Sequence, residues 1–233
     1  SIPLLCWNFM ASVGWYRTKI DVPDRGGALI SEFDLKTAEM KKLPDDQCIS
    51  EEKLWENIFY FLEAVIPVAE KYGISMALHP DDPPVSPFRG VGRILISAAA
   101  FDKIYEKFPS AVNGIAFCQA TFKTMEEDIK AISKRWIAAN RIFFIHLRDV
   151  EGNINYFRET FIDNGPVPIA EMMKHYHACG FDGMIRSDHA PSMYGEKQEA
   201  FSSGISSGYD MLGHLFAVGY IKGICEAAGI PLD

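Results

Sequence analysis

Short apolar runs, separated by helix-length amphipathic stretches, constrain this chain more than any other feature. Five such runs are visible: Pro3 to Phe9 (PLLCWNF), Ile74 to His79 (ISMALH), Gly114 to Cys118 (GIAFC), Ile142 to Leu147 (IFFIHL) and Gly183 to Asp188 (GMIRSD). They are mostly apolar on both alternations, the pattern of parallel strands covered on both faces. Between them, Glu51 to Tyr72 places Leu54, Ile58, Phe61, Leu62, Val65 and Val68 near helical spacing. Ser50 stands at its cap position, with Lys53 where a complete capping box would have Glu. Phe101 to Phe108, Met125 to Ala138, Ile169 to Cys179 and Leu212 to Ala228 read as further helices; Gly180 stops the third, and Gly229 with Pro231 the fourth. Strand alternating with helix at this rhythm predicts parallel βα units. Residues 11–50, with Pro23, Gly26, Gly27 and Pro44, are the least regular and are predicted to form a long excursion after the first strand.

The chain's 233 residues fit one domain, and a closed (β/α)₈ barrel needs about 250. Eight strands close such a barrel and five are visible. The expectation is therefore a single α/β domain over 1–233, a TIM (β/α)₈ barrel lacking N-terminal strand–helix units that precede Pro3 in the natural protein. The net charge of −8, with no Lys/Arg cluster longer than a pair, argues against nucleic acid or an anionic membrane as partner. A small anionic substrate remains compatible, because a few local arginines outweigh a distant net charge. Cys6, Cys48, Cys118, Cys179 and Cys225 are odd in number and form no CxxC pair, which points to a reducing compartment. No apolar run approaches the roughly 18 residues that span a bilayer, and the first residues given carry no positively charged stretch. Together these set the expectation of a cytoplasmic enzyme.

Four of the five runs end in a side chain able to bind metal: His79, Cys118, His146 and Asp188. Barrel enzymes place their active sites at the C-terminal ends of the strands, so these four are expected to converge. Two imidazoles, a thiolate and a carboxylate suit a divalent transition metal. Taken singly, a strand-end His is more often structural, and a buried Cys more often a small hydrophobe; four at corresponding positions weigh more. Arg148 follows His146 closely, and alternation puts Arg186 on the same side of its strand as Asp188. Either arginine could pair with Asp188 or with a substrate carboxylate. His189 stands where the chain leaves the last strand, free to act as acid or base. Tyr209 precedes the final helix in Ser207-Gly208-Tyr209, where Gly208 permits close backbone approach. Gly90-Val91-Gly92 lacks the strand–turn–helix context of a dinucleotide fingerprint. His175 and His177, two apart on a helix, do not share a face and are expected to be exposed.

The segments CWNFM (6–10), WYRT (15–18), ALHPDDPP (77–84), NGIAFC (113–118), FIHLRDV (144–150), FRETF (157–161), GFDGMIRSDHAP (180–191) and GYDMLGHLFAVGYIKG (208–223) resemble, in this order, the mannonate dehydratase family. The resemblance implies a barrel of the xylose isomerase-like type and a divalent metal, Mn²⁺ by family habit with Fe²⁺ or Zn²⁺ as alternatives, held by His79, Cys118, His146 and Asp188. It implies proton-transfer roles for His189 and Tyr209, substrate contacts from Arg148, Arg186, Asn8 and Arg17, and dehydration of D-mannonate to 2-keto-3-deoxy-D-gluconate. A homo-oligomer is compatible with such an enzyme. The chain differs from the family pattern in three ways: the missing N-terminal units, Gly165-Pro166-Val167-Pro168 where relatives have an acidic Gly-Asp-x-Asp stretch, and a longer segment between His189 and Tyr209. Two other readings share these features. An aldose–ketose isomerase or epimerase on the same barrel would use more carboxylates than the single Asp188 the strand ends offer. A non-catalytic relative would bind metal or a sugar acid without turnover.

Overall fold

A computed structural model describes residues 2–196 and 208–232. In chain order its strands are β1 (Leu4–Trp7), β2 (Lys19–Pro23), β3 (Leu29–Asp34), β4 (Ser75–Leu78), β5 (Asn113–Cys118), β6 (Ile142–His146), β7 (Val150–Asn153), β8 (Tyr156–Glu159) and β9 (Met184–Arg186). Its helices are α1 (Leu35–Glu39), α2 (Glu51–Tyr72), α3 (Ala98–Lys107), α4 (Gln119–Thr124), α5 (Ile129–Ala138), α6 (Ile169–Ala178) and α7 (Met211–Ala228).

The five predicted strands form one parallel sheet in the order β1-β4-β5-β6-β9. Neighbours follow chain order with no reversal, which is how a barrel wall is wound; a doubly wound sheet changes direction partway. The helices between these strands bury one stripe each. In α2, Leu54, Ile58, Leu62, Ile66 and Ala69 face inward, Ser50 Oγ accepts from Lys53 N, and Gly73 ends the helix in the left-handed region. Behind the sheet, Phe101, Phe117, Phe122, Trp136 and Tyr176 meet in one fully buried aromatic cluster. Burying each such ring contributes roughly 1.5–3 kcal/mol.

Two expectations change. The strands are not all covered on both faces: β5 is buried throughout, but Leu5 and Cys6 of β1 and Met184 and Arg186 of β9 are exposed. These are the outer strands, each with one neighbour among the described residues. The helix expected over Met125 to Ala138 begins only at Ile129, after the separate helix α4 has ended at Thr124. Glu126 adopts a left-handed φ of 61°, and Asp128 then caps α5 by accepting from Lys130 N and Ala131 N.

The excursion over residues 11–50 proves ordered. Its strands β2 and β3 join β7 and β8, from the connection after β6, in a second, antiparallel sheet of order β2-β3-β8-β7. Both connections leave the C-terminal ends of parallel strands, so this sheet stands over the mouth of the first. It has its own small core of Phe33, Ala38, Val85, Phe88, Ala120, Val150 and Phe157. Through the β3–β8 pairing (Phe33 opposite Phe157) it carries Glu159 toward the site. No helix among the described residues is long and apolar enough to cross a membrane.

Candidate metal centre

Parallel register brings the four strand-end residues together. Cys118 and His146 are direct partners across β5 and β6, and His146 faces Arg186 across β6 and β9, two residues before Asp188. His79 follows β4, its N–H donating to Trp7 O at 2.7 Å. One ligand atom from each of His79, Cys118, His146 and Asp188 lies within 4.8 Å of all the others. Such spacing suits atoms sharing one cation at bond lengths of about 2.0–2.3 Å. Asp188 Oδ2 is 3.6 Å from His146 Nδ1 and 3.9 Å from Cys118 Sγ.

The donors are prepared as ligands. His79 Nδ1 lies 2.7 Å from Pro80 O; by donating there it leaves Nε2 bare toward the cluster, as a metal-bound imidazole requires. Both nitrogens of His146 are buried without a hydrogen-bond partner, an uncompensated cost in a protein interior. Burial alone would raise the Cys118 thiol, but Arg148, then His146 and His79, bring it down to about 5. Burial likewise opposes ionisation of Asp188, yet His189, His146 and Arg148 hold it well below the usual carboxylate range. For His79 burial works against the charged form, and Cys118 and Asp188 overcome it, raising the imidazole to about 9. Ionised Cys118 and Asp188 supply negative charge that draws a proton to His79, and a divalent cation displacing that proton neutralises the same charge. The donor set therefore fits a divalent metal.

Beside the quartet lies a charged cluster of Arg17, Arg148, Asp82 and Glu159. Arg17 Nη1 and Nη2 each donate to Asp82 at 2.8 Å, and Nη2 also donates to Glu159 Oε1 at 2.8 Å. Arg148 donates through Nε and Nη2 to Glu159, at 2.8 and 2.9 Å, and through Nη1 to Asp82 at 3.0 Å. The same Nη1 is 3.4 Å from Asp188 Oδ2 and 3.5 Å from Cys118 Sγ. Burial would raise Glu159, but Arg148 and then Arg17 hold it at about 2. Asp82 and Glu159 were not singled out from sequence. Asp82 sits in the acidic His79-Pro80-Asp81-Asp82 loop and Glu159 in the FRETF segment (157–161), and these were the signals each offered.

A cavity of about 410 Å³ opens above the quartet, and Asn8, Arg186, His189 and Tyr209 line it beside His79, His146 and Asp188. Arg17 and Arg148 do not. Their side chains are 0 % and 1 % exposed and committed to carboxylates, so in place of the substrate contacts expected of them they brace the site's own carboxylates. Tyr209 Oη donates to Asp188 Oδ1 at 3.2 Å; burial and the Asp188 charge push its phenol above its ordinary range. Its ring meets His189 edge-on at 5.1 Å, and Trp15 meets His189 from another side at 5.2 Å. Gly208 has φ +89°, and a Cβ there would lie 3.2 Å from His189 Cβ, which explains the close approach foreseen at that glycine. Ser207 and the rest of 197–207, where the chain is longer than the resemblance suggests, lie outside the described residues. His177 is exposed as expected, whereas His175 is half-buried, a ring nitrogen 3.0 Å from Ser133 Oγ.

Comparison with known proteins agrees with this geometry. Residues 36–230 match the model of the D-mannonate dehydratase (UxuA) family. A mannonate dehydratase of Streptococcus agalactiae serotype V is 33% identical over 97% of this chain and 70% of its own length. The crystal structure of mannonate dehydratase from Streptococcus suis serotype 2 superposes with a TM-score of 0.81 at 29% identity, covering 100% of this chain and 68% of that one. A D-tagatose 3-epimerase-like protein shares the fold, with a TM-score of 0.54 at 18% identity over 76% of this chain and 56% of that one.

Proposed function

This chain belongs to the D-mannonate dehydratase family, and from that premise we propose that it is a hydro-lyase converting D-mannonate to 2-keto-3-deoxy-D-gluconate at the cavity above the quartet. The observation that carries the reading is the meeting of His79, Cys118, His146 and Asp188, with His189 and Tyr209 on the same wall.

The reaction removes hydrogen from C2 and hydroxide from C3 of the sugar acid; the resulting enol becomes the 2-keto acid, and water is released. The C2 hydrogen is weakly acidic, so a base must take it and an acid must protonate the departing 3-hydroxyl. His189 is assigned as base, because it faces the cavity at the start of the loop and is held between two rings. Tyr209 is assigned as acid: its phenol stays protonated beside Asp188 and can pass the proton to the leaving oxygen. Arg186 is assigned to the substrate carboxylate, supported by its exposure on the wall with its guanidinium 5.1 Å from the Tyr209 ring centre. Asn8, just after β1 and lining the cavity, is assigned to a substrate hydroxyl. When bound, a divalent cation supplies Lewis-acid stabilisation of the charge that builds next to C2. Mn²⁺ is the proposed ion, with Fe²⁺ or Zn²⁺ favoured more by the soft thiolate. The remaining proposals are a single domain over 1–233, a cytoplasmic setting and self-association.

The test is incubation of the metal-loaded protein with D-mannonate while following 2-keto acid formation. Turnover is expected, and Cys118→Ser and His146→Ala should lose metal and activity together. His189→Asn and Tyr209→Phe should keep the metal and lose about 10²- to 10⁴-fold in kcat. A fully active, metal-free His146→Ala protein would contradict the proposal, as would metal-loaded wild type that leaves D-mannonate unchanged.

A further inference from the structure

We propose that Glu159 is a positioning residue for His189: it takes the Nδ1 proton and so turns a bare Nε2 toward the substrate. The inference rests on the dehydratase reading, with His189 as base, and adds a residue which that reading does not contain.

Glu159 is the anion that faces the His189 ring. Its Oε1 accepts from Arg17 Nη2 and Arg148 Nη2, at 2.8 and 2.9 Å, and its Oε2 from Arg148 Nε at 2.8 Å. The next donor within reach is His189 Nδ1, 3.4 Å from Oε1. That nitrogen is buried and has no hydrogen-bond partner, so Glu159 is its natural acceptor. The gap is slightly longer than a hydrogen bond, as catalytic contacts often are before substrate closes the site. The ring cannot turn away freely, because Trp15 and Tyr209 bracket it and Gly208 lies against its Cβ. Nor can the carboxylate swing, since two buried guanidiniums hold it. Which imidazole nitrogen carries the proton is set by the bond the other ring atom makes. Fixing the proton on Nδ1 is what makes Nε2 a lone-pair base.

A carboxylate serving only to neutralise Arg17 and Arg148 would give the same salt bridges, so the test must separate the two roles. Glu159→Gln keeps an oxygen for the two guanidiniums that meet at Oε1 but removes the charge that holds the proton on Nδ1. The Nδ1-protonated share of the imidazole then falls. Long-range ¹⁵N–¹H spectra of histidine-labelled protein report this directly and need no turnover. Wild type is expected to show His189 protonated on Nδ1 and Glu159→Gln a smaller share of that form; an Nε2-protonated wild type overturns the proposal whatever the activity. In kinetics, Glu159→Gln should lower kcat by about 100-fold, with KM within about threefold and metal content unchanged. In a His189→Asn background the same change should cost nothing further, because the two act as one unit. An equal loss in both backgrounds overturns the proposal. If Glu159→Gln does not fold, Glu159→Asp keeps the charge for both arginines and withdraws it by one C–C bond, about 1.5 Å. Wild-type kcat in that variant also overturns it. Failure of the dehydratase assay with the tautomer result intact would instead remove the substrate assignment and leave the Glu159–His189 pairing standing.

Discussion

The ligand quartet and the arginine–carboxylate cluster beside it are close neighbours, yet their charges close in opposite ways. In the cluster, Arg17 and Arg148 face Asp82 and Glu159, two cations against two anions, joined by hydrogen bonds of 2.8–3.0 Å. In the quartet, a thiolate and a carboxylate stand among imidazoles, and the guanidinium that leans toward them, Arg148 Nη1, does so at 3.4 and 3.5 Å. The cluster is self-sufficient and serves as a rigid brace. The quartet is short of positive charge and finds it from outside the chain. Desolvating a charge is tolerable only when a partner is fixed in place, and the two regions obtain that partner differently.

Removing Arg148 should produce the largest effect, because it strands Asp82 and Glu159 at once. Arg148→Ala is expected to lose about 3–5 kcal/mol of stability in urea unfolding; a loss under about 1 kcal/mol would show that the cluster does not support the fold. Metal removal comes next. At an excess of 100 Kd a bound ion stabilises by about 2.7 kcal/mol, so a chelator should lower the Tm of wild type clearly and leave that of His146→Ala unmoved. Equal shifts in both would detach the quartet from metal binding.

The smallest effect sharpens the contrast most, because it concerns Asp149, the residue after Arg148. Asp149 is also buried, but its oxygens accept from the N–H groups of Val150 and Val167 rather than from a guanidinium. Burial therefore wins, and its pKa rises from 3.8 to about 6. The signs of the two carboxylates are opposite. Glu159, held at about 2 against an ordinary 4.5, contributes stability that is present above pH 4.5 and lost as pH falls toward 2. Asp149 contributes stability that is present below pH 3.8 and lost as pH rises through 6. Asp149→Asn gives up one backbone hydrogen bond at every pH but escapes ionisation. Its deficit relative to wild type should shrink by about 1 kcal/mol between pH 5 and pH 8. A deficit that grows over that range would reverse the assignment.

These differences also explain what the sequence disclosed. The ligands were legible because parallel strands impose a rule: a polar residue ending an apolar run points into the mouth. His79, Cys118, His146 and Asp188 obey it, and Arg186 shares a side with Asp188 by alternation. The cluster obeys no such rule. Glu159 reaches it from β8 of the antiparallel sheet and Arg17 from the loop just before β2, in a region that is short-stranded, partly exposed and punctuated by Pro23, Gly26 and Gly27. Nothing local in such segments says that β3 will pair with β8, more than 120 positions away by the Phe33–Phe157 register. The resemblance implies substrate contacts for Arg17 and Arg148; the anions that they meet are the protein's own. The glycine before Tyr209 was readable, since close approach is what glycine permits. The loop Gly165-Pro166-Val167-Pro168 has a clear role only in three dimensions, where Val167 N–H reaches Asp149 and a Cβ on Gly165 would lie 2.2 Å from its carboxylate.

X-ray absorption at the edge of bound zinc most directly tests whether one cation draws together a thiolate, two imidazoles and a carboxylate. The account predicts a single sulfur at about 2.3 Å with nitrogen and oxygen neighbours at about 2.0–2.2 Å, the sulfur vanishing in Cys118→Ser. A shell of light atoms alone in wild-type protein would contradict it.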